Sequence, residues 1–335
     1  MNDTSPTPDS GSPAAAPSTA PAPAALAIVG PTGSGKTALS IEVARRVDGE
    51  IISMDSRSVF RGMDIGTAKP TMEERAEIPH HGIDLVEPSE RFSAVRWARY
   101  AREKIAEIRG RGRVAMLVGG TGFFLRALTH PIFQEPELDP DERRRLAAEL
   151  APLADGELLA RLEALDPESA ERLGGWGGRQ RLLRALEVAI LTGRPLSYWH
   201  RTAEPEAEPV PVLAFVLDMP RERLFPAIDR RIRDMVAAGL LDEVRGLLAR
   251  YGPEAPGLNA HGYAELLPYF RGERSLEEAL ELVARNTKSY TRRQRTWFRK
   301  QLPDGAVWLD ATQPRPQLVE HIVAAWNRAA AAQGT

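Results

Sequence analysis

The sequence predicts an α/β fold, a P-loop NTPase-like parallel sheet flanked by helices, with a helical insertion domain. Three observations carry this expectation. Residues 30–37 read Gly-Pro-Thr-Gly-Ser-Gly-Lys-Thr, a full match to the phosphate-binding pattern G-x-x-x-x-G-K-[ST]. Short apolar runs alternate with amphipathic helical stretches on both sides of it, the pattern of a doubly wound parallel sheet. From about residue 131 to 204 strand character vanishes, and the chain turns rich in Arg, Glu and Leu.

Residues 1–25 are mostly Pro, Ala, Ser and Thr, without Lys, Arg or a long apolar stretch. That composition predicts a disordered tail rather than a signal peptide. Leu26–Val29 reads as a strand, residues 30–37 as the loop, and Ala38–Val47 as the helix that must follow it. Glu50-Ile-Ile-Ser-Met-Asp55 reads as a second strand, and Arg61–Pro70 as a Gly-rich irregular stretch. Residues 93–109 have helical periodicity, with Val95, Ala98, Ala101, Ile105 and Ile108 near one face. Val114–Val118 reads as a buried strand ending in Gly119-Gly-Thr-Gly122. Strand character returns at Val210–Leu217. Helices follow at Arg221–Tyr251, Gly262–Arg271 and Leu276–Arg299, then a last short strand at Ala306–Leu309. The expected division is a catalytic core of residues 26–130 and 205–312, a helical insertion of 131–204, and a C-terminal helix or tail of 313–335.

With 335 residues, 43% of them hydrophobic and 27% charged, the chain can bury a substantial core. It has no cysteine, which excludes disulfides, thiolate metal sites and a cysteine nucleophile. No apolar run approaches the ~18 residues of a membrane span, so a cytoplasmic protein without membrane contact is expected. The net charge of −2 excludes a general polycation, but residues 285–301 carry seven basic groups and no acidic one. Tyr290, Trp297 and Phe298 lie within that segment. It suits either a nucleic-acid backbone or a solvated helix whose aromatics face the core.

In parallel sheets the ligand crevice lies at the C-terminal strand ends. The loop, Asp55 and Gly119–Thr121 all follow strands, so they should converge there. Gly30, Pro31, Thr32, Gly33, Ser34, Gly35, Lys36 and Thr37 form the candidate diphosphate cradle. Loop amides and a helix N-terminus face the anion, Lys36 adds a cation, and the Thr37 hydroxyl can hold Mg²⁺. An ATP-hydrolysing P-loop protein normally has an acid at the end of an apolar strand. Val114–Val118 ends in Gly-Gly-Thr-Gly instead. Asp55 is the acidic candidate, as a general base, an Mg²⁺ ligand or a strand-end cap. His80 and His81 are adjacent and share no helix face, which favours a structural or RNA-contact role over a metal site. In 179–191, Leu182, Leu186, Ala189 and Ile190 share an apolar face, and Gln180 and Arg184 lie on the other.

Several strings occur in order: the loop, Asp55-Ser-Arg-Ser-Val-Phe-Arg-Gly-Met-Asp-Ile-Gly-Thr-Ala-Lys-Pro70, Pro79-His-His81 and Leu117-Val-Gly-Gly-Thr121. Arg184-Ala-Leu-Glu-Val188, Gly262-Tyr263 and Gln294-Arg-Thr-Trp-Phe-Arg299 follow. This series closely resembles the tRNA dimethylallyltransferases, or tRNA isopentenyltransferases, from about residue 26 to 301. The resemblance implies transfer of a dimethylallyl group from dimethylallyl diphosphate to the N6 amine of the adenosine just 3′ of the anticodon, position 37, in tRNAs that read codons starting with U. It implies that Asp55 takes the amine proton. Lys36, Thr37 with Mg²⁺, and Arg231 would stabilise the leaving diphosphate, with Arg230 and Arg233 as close alternatives to Arg231. It implies contacts to the tRNA anticodon stem-loop by Asp55, Ser56, Arg57, Ser58, Thr121 and Arg143. Further contacts are implied for Gln180, Arg181, Leu182, Leu183 and Arg184, and for Arg293, Gln294, Thr296, Trp297 and Arg299. A monomer is expected.

The chain departs from the family pattern at Gly33, where Ala is usual, at Phe60, where Tyr is common, and at Gly177-Gly178, where Asn-Asp is usual. It lacks the C-terminal zinc finger of some eukaryotic relatives, which favours the bacterial type. Rival readings are a small-molecule kinase, an RNA-stimulated ATPase and an adenylate prenyltransferase. The basic aromatic segment and the missing strand-end acid argue against the kinase. The insertion and basic segment would be superfluous for an acceptor as small as adenylate.

Overall fold

The computed structural model describes residues 22–130, 136, 138–174, 178–202, 207–303 and 305–331. Most of the tail expected at 1–25, and Gly177, lie outside the described residues.

Six strands form one parallel sheet: β1 (Ala25–Val29), β2 (Gly49–Ser53), β3 (His80–His81), β4 (Val114–Gly119), β5 (Val212–Asp218) and β6 (Val307–Asp310). Their order is β3-β2-β4-β1-β5-β6. Every residue of β1 is buried, which fits its place between β4 and β5. A strand covered on both faces needs a continuous apolar run rather than alternation.

One face of the sheet is covered by α1 (Lys36–Val47) and α14 (Arg315–Ala331), whose Leu39, Val43, Leu318 and Ile322 pack on Ile28 and Phe215. The last helix is therefore part of the core; of the helix or tail expected at 313–335, residues 315–331 are helical. The other face is covered by α3 (Ala94–Gly110) and α4 (Gly122–Thr129). Trp97 of α3 stacks on Phe124 with centroids 4.8 Å apart. Trp97 is fully buried, whereas Val95, expected on the buried face, is only half-buried. A short helix, α2 (Met72–Glu77), precedes β3 and is held by a Thr71–Glu74 capping box.

Among the described residues the insertion has five helices: α5 (Pro140–Leu150), α6 (Asp155–Leu165), α7 (Pro167–Gly174), α8 (Arg179–Thr192) and α9 (Leu196–Thr202). They enclose a core of their own, with Leu150, Leu158, Leu162, Leu186 and Val188 at its centre. The buried Asp166 carboxylate accepts the Ser169 and Ser197 N–H groups, joining α7 to α9. Ile190, expected on the apolar face of α8, is exposed, and Ala185 and Val188 are buried instead.

A further core lies beside the strand ends, between α10 (Arg221–Ala237), α11 (Leu240–Tyr251) and α13 (Leu276–Gln301). The helix expected over Arg221–Tyr251 breaks at Gly239, whose φ of 100° few other residues adopt. Gly262–Arg271 is mostly tight turns, with only a short α12 (Leu267–Phe270). Among the described residues no helix is long and apolar enough to cross a membrane.

Candidate active site

The loop after β1 and the segments after β2 and β4 meet at the C-terminal edge of the sheet. β2 ends at Ser53, so Asp55 stands two residues beyond the strand rather than on it. Gly119 makes the approach possible, because a Cβ there would lie 2.1 Å from the Met54 carbonyl oxygen. The Thr121 N–H then donates to that carbonyl at 3.1 Å, and the Thr121 hydroxyl accepts the Ser56 N–H at 3.0 Å. Asp55 Oδ1 accepts the Arg57 N–H at 2.8 Å, which turns the chain and holds the carboxylate.

Two cavities open here. The larger, about 380 Å³, is lined by the loop, including Lys36 and Thr37, and by Ser53, Ala68, Val118 and Gly119. The smaller, about 240 Å³, is lined by Arg57, Met235, His261, Val283, Tyr290 and Arg293 among others. Thr32, Asp55, Thr67 and Arg231 belong to the walls of both. Asp55 therefore stands where the phosphate-loop chamber meets a second chamber walled by aromatic, apolar and basic side chains.

Two basic side chains, Lys36 and Arg231, line the larger chamber. Lys36 Nζ donates to the Gly30 and Pro31 carbonyls at 2.9 and 2.8 Å, folding the side chain back over the loop. Burial, with the neighbouring charge of Arg231, lowers its pKa to about 7, against a smaller opposing effect of Asp55. Burial also lowers the pKa of Arg231, against the opposing charge of Asp55. Arg231 lines both chambers, and its guanidinium reaches the Thr67 carbonyl at 3.4 Å. Arg230 and Arg233 are exposed and line neither chamber. Thr37 is exposed to the chamber. Among the described residues no group of three His, Cys, Asp or Glu can hold a metal. One hydroxyl beside a diphosphate still fits Mg²⁺, which is commonly held by few protein oxygens plus phosphate.

The other sequence-predicted residues divide by burial. Ser58 is buried in the wall of the larger chamber. Gln180, Arg181, Arg293, Thr296 and Arg299 are exposed. Arg143 and Arg184 are both paired with the Glu187 carboxylate, Arg143 by two contacts and Arg184 at 2.6 Å. Three of the implied RNA contacts, Leu182, Leu183 and Gln294, are buried or half-buried. Leu182 faces the insertion's core, and Leu183 packs half-buried against it, because the apolar stripe of α8 is what holds the bundle together. Gln294 is buried, donating from Nε2 to the Gly120 carbonyl and accepting the Thr32 N–H. The Leu182 and Gln294 side chains are both engaged within the protein. Trp297 is half-buried, its ring against Gly122, where a Cβ would lie 2.1 Å away.

A strand-end acid does exist: β5 ends in Asp218, which pairs with Arg295 at 2.8 Å and does not line the loop chamber. The missing acid is thus no argument against a kinase, although the acid present is already engaged. His81 Nε2 meets Glu50 at 2.7 Å and His80 Nδ1 meets the Ile78 carbonyl at 2.7 Å, both structural contacts. Sequence reasoning gave no role to Thr67 or His261, although Thr67 lies in the Asp-Ile-Gly-Thr-Ala-Lys-Pro string; Tyr290, noted only as an aromatic of the basic segment, lines the smaller chamber.

A family model described as IPP transferase matches residues 58–301, and one described as isopentenyl transferase matches residues 23–79. The chain belongs to the IPP transferase family. The tRNA dimethylallyltransferase of Syntrophobacter fumaroxidans is 46% identical over 273 residues, covering 81% of this chain and 80% of its own length. The crystal structure of the full-length tRNA isopentenylpyrophosphate transferase of Bacillus halodurans is 35% identical with a TM-score of 0.66. It covers 92% of this chain and 99% of its own. A structure described as a eukaryotic dimethylallyltransferase acting on tRNA is 29% identical with a TM-score of 0.70, covering 86% and 73%. Two departures of this IPP transferase fit their surroundings. Phe60 is buried among Val59, Met63 and Val86, where an apolar ring suffices. Gly33 has a φ of 87°, which strains any residue with a Cβ.

Proposed function

We propose that this protein transfers a dimethylallyl group from dimethylallyl diphosphate to the N6 amine of the adenosine 3′ of the anticodon, position 37, in tRNAs reading codons that begin with U. The observation that carries the reading is the position of Asp55 in the walls of both chambers. A diphosphate seated on the loop points its allyl carbon toward that junction, and a base flipped out of a single-stranded loop enters the second chamber. Anticodon loops suit such entry, because an unpaired base leaves its stack cheaply.

The N6 lone pair attacks the allyl C1, the C1–O bond breaks, and diphosphate leaves with the bonding electrons. Adenine N6 is a poor nucleophile, its lone pair delocalised into the ring. Asp55 accepts a hydrogen bond from the amine and takes its proton as the C–N bond forms, an effect of typically 10²–10⁴-fold. Loop amides, Lys36 and Arg231 stabilise the charge growing on the leaving group. Mg²⁺, held by Thr37 and the diphosphate, would supply further neutralisation. ATP is not consumed. The basic exposed residues of α13 and of the insertion supply contacts to the anticodon arm.

The test is a transfer assay with radiolabelled dimethylallyl diphosphate, Mg²⁺ and unmodified tRNA, with AMP and ATP as alternative substrates. Label in tRNA that disappears when adenosine 37 is replaced supports the proposal. Label in AMP, or ATP turnover with no label in tRNA, overturns it.

A further inference from the structure

Glu243 lines neither chamber, yet it holds the segment that lies between them. From the first turn of α11 its carboxylate accepts three successive backbone N–H groups: Asp64 at 2.8 Å, Ile65 at 2.7 Å and Gly66 at 3.1 Å. The Tyr263 hydroxyl donates to the same carboxylate at 2.6 Å. Tyr263 is fully buried, and burial, with the Glu243 charge beside it, raises its pKa. The phenol therefore stays protonated and donates. Four donors fill both oxygens of one carboxylate, an arrangement that only an ionised acid can satisfy.

The clamped turn is closed from its other side. Lys69, whose side chain is almost wholly buried, donates to the Phe60 carbonyl, Asp64 and Asp84 at 2.6, 2.7 and 2.6 Å. A Cβ on Gly66 would lie 2.5 Å from the Tyr263 ring, so the turn sits directly on that ring. The next residue is Thr67, which lines both chambers and offers its carbonyl to Arg231.

We propose that Glu243 is a positioning residue: by fixing residues 64–66 it sets the Thr67 carbonyl, and through it the Arg231 guanidinium, for binding a diphosphate. The inference rests on the proposed function for the identity of that anion, but the test needs no transfer reaction. Glu243→Gln removes the charge and turns an N–H₂ group toward donors. Its amide oxygen can still take Asp64 and Ile65, but the Gly66 N–H, next to Thr67, loses its acceptor.

Binding of inorganic diphosphate with Mg²⁺, measured by calorimetry, should weaken about tenfold in Glu243→Gln while the melting temperature stays close to wild type. Tyr263→Phe keeps all three backbone bonds and should stay within about threefold. The deciding comparison is a double-mutant cycle. In an Arg231→Ala background, Glu243→Gln should cost less than about twofold, because the group it positions is gone. Unchanged binding in Glu243→Gln, or losses that multiply in the double variant, overturn the proposal. If Glu243→Gln does not fold, Glu243→Asp takes its place. It keeps the charge but shortens the reach, and the same non-additivity with Arg231→Ala is expected. Diphosphate binding that obeys the cycle in a protein that prenylates no tRNA would overturn the proposed function and leave this inference standing.

Discussion

The side-chain amide of Gln294 ties the Thr32 N–H of the phosphate loop, 3.1 Å away, to the Gly120 carbonyl after β4, 2.8 Å away. Gln294 sits on α13, the helix whose neighbouring Arg293, Thr296 and Arg299 are exposed. A Cβ on Gly120 would lie 2.3 Å from the amide nitrogen, so the fit has no slack. One helix thus presents basic side chains outward and braces the phosphate loop from within.

Removing this amide leaves the half-buried Thr32 donor and the buried Gly120 acceptor unpaired, at up to about 1–3 kcal/mol each. Gln294→Ala should raise KM for dimethylallyl diphosphate about tenfold or more while the Kd for tRNA changes less than about threefold. Steady-state kinetics together with filter binding decide it. Weakened tRNA binding at constant KM would return Gln294 to the RNA-contact role that the family resemblance implies.

Three of the arginines of α10, Arg230, Arg231 and Arg233, are separable. Arg231 lines both chambers, and Arg230 and Arg233 are solvent-facing. Arg231→Ala should lower kcat/KM at least 10²-fold, since it removes a charge-stabilising donor aimed at the leaving group. Arg230→Ala and Arg233→Ala should stay within about threefold in kcat at saturating tRNA. Equal losses in all three would mean that α10 acts by general electrostatics.

Much of this was legible in the sequence. The loop string, the apolar runs of β1 and β4, and the alternation of strand and helix dictate the sheet and where its ligands gather. Periodicity failed where an amphipathic face is shared. On α3 the bulky Trp97 takes the buried position expected for Val95, because its ring stacks on Phe124 of another helix. Gln294 was legible as part of a motif but not as a brace, since its partners are 262 and 174 residues away. Glu243 carried no signal, because a carboxylate that accepts backbone N–H groups looks in sequence like any first-turn acid.

A structural cluster at the opposite end of β2 gives a contrasting prediction. The Glu50 side chain is only 4% exposed and meets His81, Arg111 and Arg113. Burial opposes its charge, but hydrogen bonds from those three groups outweigh it, and its pKa lies below the usual value. A carboxylate with a depressed folded-state pKa adds stability above its unfolded pKa of 4.5, and that stability is lost as pH falls through the folded value. Glu50→Gln should therefore destabilise the protein by roughly 1–3 kcal/mol at pH 7. The gap from wild type should narrow as pH drops below about 4.5 in urea denaturation. Prenyl transfer at pH 7 and 25 °C should be unaffected. A pH-independent gap would assign the effect to packing rather than charge.

The single-turnover rate of Asp55→Ala, with tRNA and dimethylallyl diphosphate already bound, bears most directly on the central proposal that Asp55 takes the amine proton where the two chambers meet. The expected result is transfer slowed at least 10²-fold, about 3 kcal/mol of barrier, with the Kd for tRNA nearly unchanged. An unchanged single-turnover rate would remove Asp55 from proton transfer and leave it the holder of the turn that the Arg57 N–H closes.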